Sequence, residues 1–193
     1  SEHGVAREFE GMSRSPSDQN GKPSASARFG PELTPVPPDE GGRPDEIARA
    51  RRALEPVQRS LIEAGFYAYG TLDDQHRWTI AGDDEAGRVD VRVGPDGYQV
   101  ELWASSPGLY ADEENEWRRR ALERLARMTI PAIARGYLEP HQRAEWDEVD
   151  HGVAVRLIYE LPFTQAADIG RFVRERLPEL EALLAFVEER VTS

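Results

Sequence analysis

From about residue 45 onward the hydrophobic period of this chain runs helical, alternating, helical, alternating and helical again. That order limits the fold more tightly than any motif in it. Strands joined by short turns pair antiparallel, because a parallel pair needs a long crossover. Helices with one apolar stripe bury that stripe against such a sheet. The expected architecture is α+β: an antiparallel sheet with packed helices in the order α-β-β-β-α-β-β-α, with room for an extra strand near Phe66.

The first helix is expected over residues 45–64, with Asp45 as its cap. Its stripe is Ile47, Ala50, Leu54, Val57, Leu61 and Ile62, Pro56 is placed to bend it, and Gly65 closes it. Gly82-Asp83-Asp84 reads as a break between strands. Val89, Val91 and Val93 then alternate with Arg88, Asp90 and Arg92. Gly94-Pro95-Asp96-Gly97 is a turn, with Pro presetting φ and Gly97 expected in the left-handed position. Tyr98, Val100 and Leu102 return on the apolar face, with Gln99, Glu101 and Trp103 opposite. Asp112 is the expected cap of a second helix with Trp117, Ala121, Leu125 and Met128 as its stripe. A hairpin turning at Asp150-His151-Gly152 follows, and its second strand alternates from Val153 to Leu161. Thr164 is expected to cap the last helix, and Pro178 to split it.

The chain has 193 residues, which suits one domain plus a tail. Residues 1–44 hold half of the 14 prolines, much Ser and Gly, and few large apolar residues. Such a segment buries too little surface to offset its ordering entropy, so it is expected to be a disordered extension. Pro35-Val36-Pro37-Pro38 within it is also a possible polyproline II ligand. The net charge is −12, of which residues 1–44 carry −2, seven acids against five bases. An acidic body repels phosphate backbones and anionic lipid, so neither nucleic acid nor a membrane is expected as a partner. The absence of cysteine excludes disulfides and thiol catalysis, and fits a reducing, cytoplasmic setting. Neither an apolar run of roughly 20 residues nor a signal peptide is legible.

The body, residues 45–193, resembles the YbjN-like and type III secretion chaperone-like superfamily. The residues that carry this are Glu63-Ala64-Gly65-Phe66 closing the first helix and the hairpin over residues 89–104. The others are the helix around residues 122–133, the strand Val153-Ala154-Val155-Arg156-Leu157-Ile158-Tyr159-Glu160-Leu161-Pro162, and the closing helix. It is a match of order and pattern. Residues 117–127 and 140–152 are more polar than that pattern demands. The resemblance implies a non-catalytic, often dimeric, acidic protein that binds or modulates a polypeptide.

Few constellations point to chemistry. Glu139, His141, Glu145, Asp147, Glu148, Asp150 and His151 form the densest polar cluster. If the loop folded back, His141 and His151 would approach each other and serve a metal or acid–base site. The spacing matches no metal motif, and a solvated hairpin is the plainer reading. The acids from Asp73 to Glu85 lack the ligand order of a calcium loop. No nucleophile elbow surrounds Ser105-Ser106, and the only lysine, Lys22, belongs to no phosphate loop. No cofactor is implied. The arginines of the second helix read as a solvated face paired with Glu114 and Glu116 at i, i+4. Two readings stand for Trp103, which lies on the polar side of its strand. It is either an interface residue or is covered by a second layer. The expected function is a non-catalytic interaction module, chaperone-like or regulatory. It would be a homodimer that binds a protein through the open sheet face at Trp103, Glu101 and Gln99, together with a helix. The alternative is an enzyme or metal protein using His141 and His151.

Overall fold

The computed structural model describes residues 43–193. Residues 1–42 of the expected tail, with its polyproline segment, lie outside the described residues, while Arg43 and Pro44, expected in the tail, belong to the first helix. Three helices and six strands follow in chain order: α1 (Arg43–Glu63), β1 (Tyr67–Leu72), β2 (Trp78–Asp84), β3 (Gly87–Val93), β4 (Tyr98–Ser106), α2 (Glu116–Tyr137), β5 (Gln142–Asp147), β6 (Gly152–Leu161) and, after a 3-10 turn over Phe163–Asp168, α3 (Ile169–Thr192). The fold is α+β with one antiparallel sheet, as the period order requires. The sheet order is β1-β2-β3-β4-β6-β5.

The extra strand near Phe66 is a full one, β1, paired with β2 from Tyr67↔Asp83 to Leu72↔Trp78. Four strands therefore precede α2. Gly82-Asp83-Asp84 does not break the sheet. Asp83 and Asp84 pair with Arg88 and Gly87, and Asp84 Oδ2 accepts from the Ala86 amide to close a tight turn. Ser105 and Ser106 likewise remain in β4, opposite Ala154 and Val153.

Alternation puts Val89, Val91, Tyr98, Val100, Leu102, Val155 and Leu157 on one face, all buried. Register lines them up across the sheet: Ile80↔Val91, Val91↔Val100 and Val100↔Tyr159. All three helices cover this face. Residues 48–193 form one compact unit. α1 contributes Leu54, Val57 and Leu61, and α3 contributes Ile169, Val173, Leu180 and Val187. α2 contributes Ala126, Ile130 and Ile133. Tyr98 Oη donates to the Ala53 carbonyl at 2.7 Å and ties the sheet to α1.

Several local expectations are corrected. Asp45 lies in the first turn of α1, which begins at Arg43, and is not its cap. Ile62 is exposed, because Ser60 and Leu61 take the inward positions of the last turn. Gly65 does close the helix, at a φ of 96°. Gly97 is not among the glycines of positive φ. Its need is steric: a Cβ there would sit 2.4 Å from the Leu161 carbonyl. Asn115, not Asp112, caps α2, accepting from the Arg118 amide at 3.0 Å. Thr164 falls inside the 3-10 turn, and Asp168 precedes α3. Pro178 does not split α3, which runs through it, as α1 and α2 run through Pro56 and Pro131. Burial of the long apolar stripe outweighs one lost backbone hydrogen bond at each proline.

The largest correction concerns α2. Trp117, Leu125 and Met128, expected in the core, face solvent. The buried side is Glu123, Ala126, Ile130 and Ile133.

Candidate functional site

The sheet face opposite the helices is the candidate site. Period-2 alternation sends Arg88, Asp90 and Arg92 of β3 to it, with Gln99, Glu101 and Trp103 of β4 alongside and Arg156 of β6 beyond. No helix of the described residues covers this face. Trp103 is half-buried in the strand between its register partners Arg88 and Arg156. Of the two readings of Trp103, cover by a second layer of helices is therefore excluded among the described residues.

Beside Trp103 lies a cleft of about 460 Å³, walled by the β1–β2 turn around Asp73 and floored by Arg88, Asp90, Arg92 and Glu101. Its guanidinium groups are all held by carboxylates. Arg88 Nε donates to Asp90 at 3.2 Å, and Arg92 Nε donates to Asp73 at 2.8 Å while reaching Glu101 at 3.7 Å. Arg156 bridges Glu101 and Glu145, and Arg77 pairs with Asp73 at 2.9 Å. The floor is thus close to neutral and rigid, and offers no spare cation to a phosphate. Burial pushes the Asp90 carboxyl above the usual carboxylate range, against the charges of Arg88 and Arg92. At Asp73 burial also opposes ionisation. The Arg77 amide and charge, the Gln75 amide and the Arg92 charge prevail and hold it below the ordinary value.

The three residues singled out from the sequence share this face but not one role. Glu101 is tied between Arg92 and Arg156. Gln99 leans over Gly94 at the turn: a Cβ on Gly94 would sit 2.9 Å from its Nε2. Trp103 alone presents apolar surface. Asp73 is the turn residue its sequence implies, but sequence reasoning missed that it also joins the β1–β2 turn to β3 through Arg92. The turn role is the legible part, since an Asp at a turn start accepts amides two residues on.

The polar cluster around the β5–β6 hairpin does not assemble. His141 precedes β5 while His151 sits at the hairpin tip, with a φ of 56°. The ladder from Gln142↔Leu157 to Asp147↔Gly152 lies between them and by itself spans roughly 17 Å at 3.3 Å per residue. Each has its own carboxylate: His141 Nε2 lies 2.7 Å from Glu179 and His151 Nδ1 lies 3.4 Å from Glu123. The joint His141/His151 site is therefore overturned by the register of the hairpin. Among the described residues no group of three His, Asp or Glu converges as metal ligands.

Glu179 instead pins α3 to the hairpin, accepting from His141, Gln142 and the Tyr159 hydroxyl. Burial opposes its ionisation, but these three donors hold its pKa below the ordinary value. A carboxyl depressed in the folded state stabilises above its unfolded pKa and loses that contribution as pH falls through the folded one. Wild type and Glu179→Gln are expected to differ most near neutrality and to converge only once the pH has fallen below the ordinary glutamate range and through the depressed folded value. Urea midpoints measured across that window check this.

No helix among the described residues is long and apolar enough to cross a membrane. Comparison with family models, curated proteins and solved structures found no match for this chain.

Proposed function

We propose that residues 45–193 are a non-catalytic protein-interaction module, chaperone-like or regulatory, which binds a polypeptide through the open sheet face at Trp103. The observation that carries this reading is the asymmetry of the sheet. One face is sealed by three helices. The other presents a half-buried tryptophan above a floor whose charges are already paired. Apolar contact with a rigid aromatic then drives binding, and a prearranged polar rim supplies selectivity. Support from the sequence is the resemblance to the YbjN-like and type III secretion chaperone-like proteins, together with the acidic charge. The same resemblance makes a cytoplasmic homodimer part of the proposal.

The test is affinity purification of the full chain from its native extract, with mass spectrometry of what is retained and light scattering of the pure protein. One stoichiometric polypeptide partner on a dimer is expected. Trp103→Ala is expected to weaken that complex at least about tenfold while leaving the melting curve in place. A complex unchanged by Trp103→Ala would remove this face from the proposal.

A further inference from the structure

Helix α2 is amphipathic twice over. At 100° per residue, its buried Glu123, Ala126, Ile130 and Ile133 fall within an arc of about 80°. Trp117, Ala121, Leu125, Met128 and Ala132 fall within a second arc of about 80°, centred roughly 160° away. All five are exposed, with Trp117 at 77%, Leu125 at 56% and Met128 at 74%. Folding gains nothing from this second row, since the core side of the helix is already complete. Scattered apolar residues on a surface are ordinary, but this is one continuous stripe at helical spacing. Its three large side chains expose on the order of 400 Å², comparable with the largest patch on a typical monomer.

The rims of the stripe are basic. Arg124 and Arg135 border it on one side and Arg118 on the other, with Arg120 next to Arg124. Arg118 and Arg120 reach Glu113 and Glu116. Among the described residues Arg124 and Arg135 have no carboxylate within ion-pair distance. Six arginines against two glutamates give α2 a net charge of +4, which Glu113 and Glu148, paired with Arg118 and Arg127, reduce to +2, in a chain whose total is −12. This helix is the basic strip of an acidic protein.

We infer that the outer stripe of α2 docks an amphipathic helix of a partner protein that carries acidic residues along both edges of its apolar face. Two packed helices bury matching stripes, and the partner's Asp and Glu meet the arginine rims. Charge separates this occupant from the others. A second copy seated α2 to α2 would set the unpaired Arg124 and Arg135 against their own copies, so any homodimer would be seamed elsewhere. An anionic bilayer would draw the strip in but repel the rest of the chain. The inference rests on the interaction-module reading but uses a different surface, so its failure and that of the Trp103 site are read separately.

The probes are two fluorescein-labelled helical peptides of about 20 residues with the same leucine stripe, one edged with Glu and one with Lys. Anisotropy against the full chain is expected to show the Glu peptide binding at least about tenfold tighter, with an affinity that falls as salt rises. Leu125→Glu/Met128→Glu is expected to abolish binding without lowering the melting temperature, since both positions are exposed. Arg124→Glu/Arg135→Glu is expected to reverse the preference toward the Lys peptide. Trp103→Ala is expected to change neither. Equal binding of both peptides, or binding that survives Leu125→Glu/Met128→Glu, would overturn the inference. Self-association in light scattering that Leu125→Glu abolishes would overturn it in favour of a second copy. Leu125-dependent sedimentation with phosphatidylcholine/phosphatidylglycerol vesicles would overturn it in favour of a membrane.

Discussion

Gly170→Val is expected to destabilise the protein by about 3 kcal/mol or more. Gly170 opens α3 where that helix crosses the end of α1. A Cβ there would lie 2.1 Å from the Ser60 carbonyl oxygen and 2.9 Å from the Ala64 Cβ. The first of these is backbone, which cannot step aside as a flexible side chain would. The same contact caps α3 across the interface. Ser60 Oγ accepts from the Gly170 amide at 2.8 Å and donates to the Ala167 carbonyl at 2.9 Å. Asp168, ahead of α3, makes no side-chain cap bond, so Ser60 supplies from another helix what the local sequence does not. Valine at 170 would push the helices apart and strand these groups in a buried place. Ser60→Ala removes only the cap and is expected to cost about 1–2 kcal/mol. Chemical denaturation of both variants measures the two contributions. A Gly170→Val protein as stable as Ser60→Ala would show that the helices separate without cost.

Leu180→Ala is expected to cost about 2–5 kcal/mol, a fall of roughly 2–4 °C in melting temperature for each kcal/mol. Leu180 is fully buried in the middle of α3. It presses against Gly87, where a Cβ would come within 2.7 Å of its Cδ2. Glycine at 87 is thus the hollow that admits Leu180. Beside that hollow Arg88 pairs with Trp103, so the leucine supports the strands that carry the candidate site. Gly87→Ala is not expected to rescue Leu180→Ala, because its Cβ would also lie 2.7 Å from the Trp103 carbonyl. Thermal melts of the single and double variants decide this. A rescued double variant would show that the hollow serves Leu180 alone.

The sheet hairpin is the part most legible from sequence. Arg88 to Val93 and Tyr98 to Trp103 alternate with period two, and a turn of Gly and Pro joins them. Both signals are local, so register and face follow without knowledge of the rest of the chain. Trp103, Glu101 and Gln99 fall on the face opposite the core for the same reason. Their different engagements were not legible. Glu101 is held by an arginine 55 residues away, and the cleft wall at Asp73 by an arginine 19 residues away.

Helix α2 marks where local reading stops. Its sequence holds two apolar stripes at helical spacing, and period alone cannot say which one meets the sheet. Rotation of the helix is settled by what lies beneath it, β5 and α3. There the smaller residues Ala126, Ile130 and Ile133 fit, and Trp117 and Met128 are left outside. The histidines show the same limit. Their proximity in sequence suggested a shared site, and the antiparallel ladder placed them at opposite ends of a strand. By itself the sequence determined the α+β class, the alternation of the central strands and the charge, since these depend on composition and on period over neighbouring residues. Tertiary structure alone decided which helix face is free, which residue caps α3 and which side chains share a cleft, because each depends on contacts between distant segments.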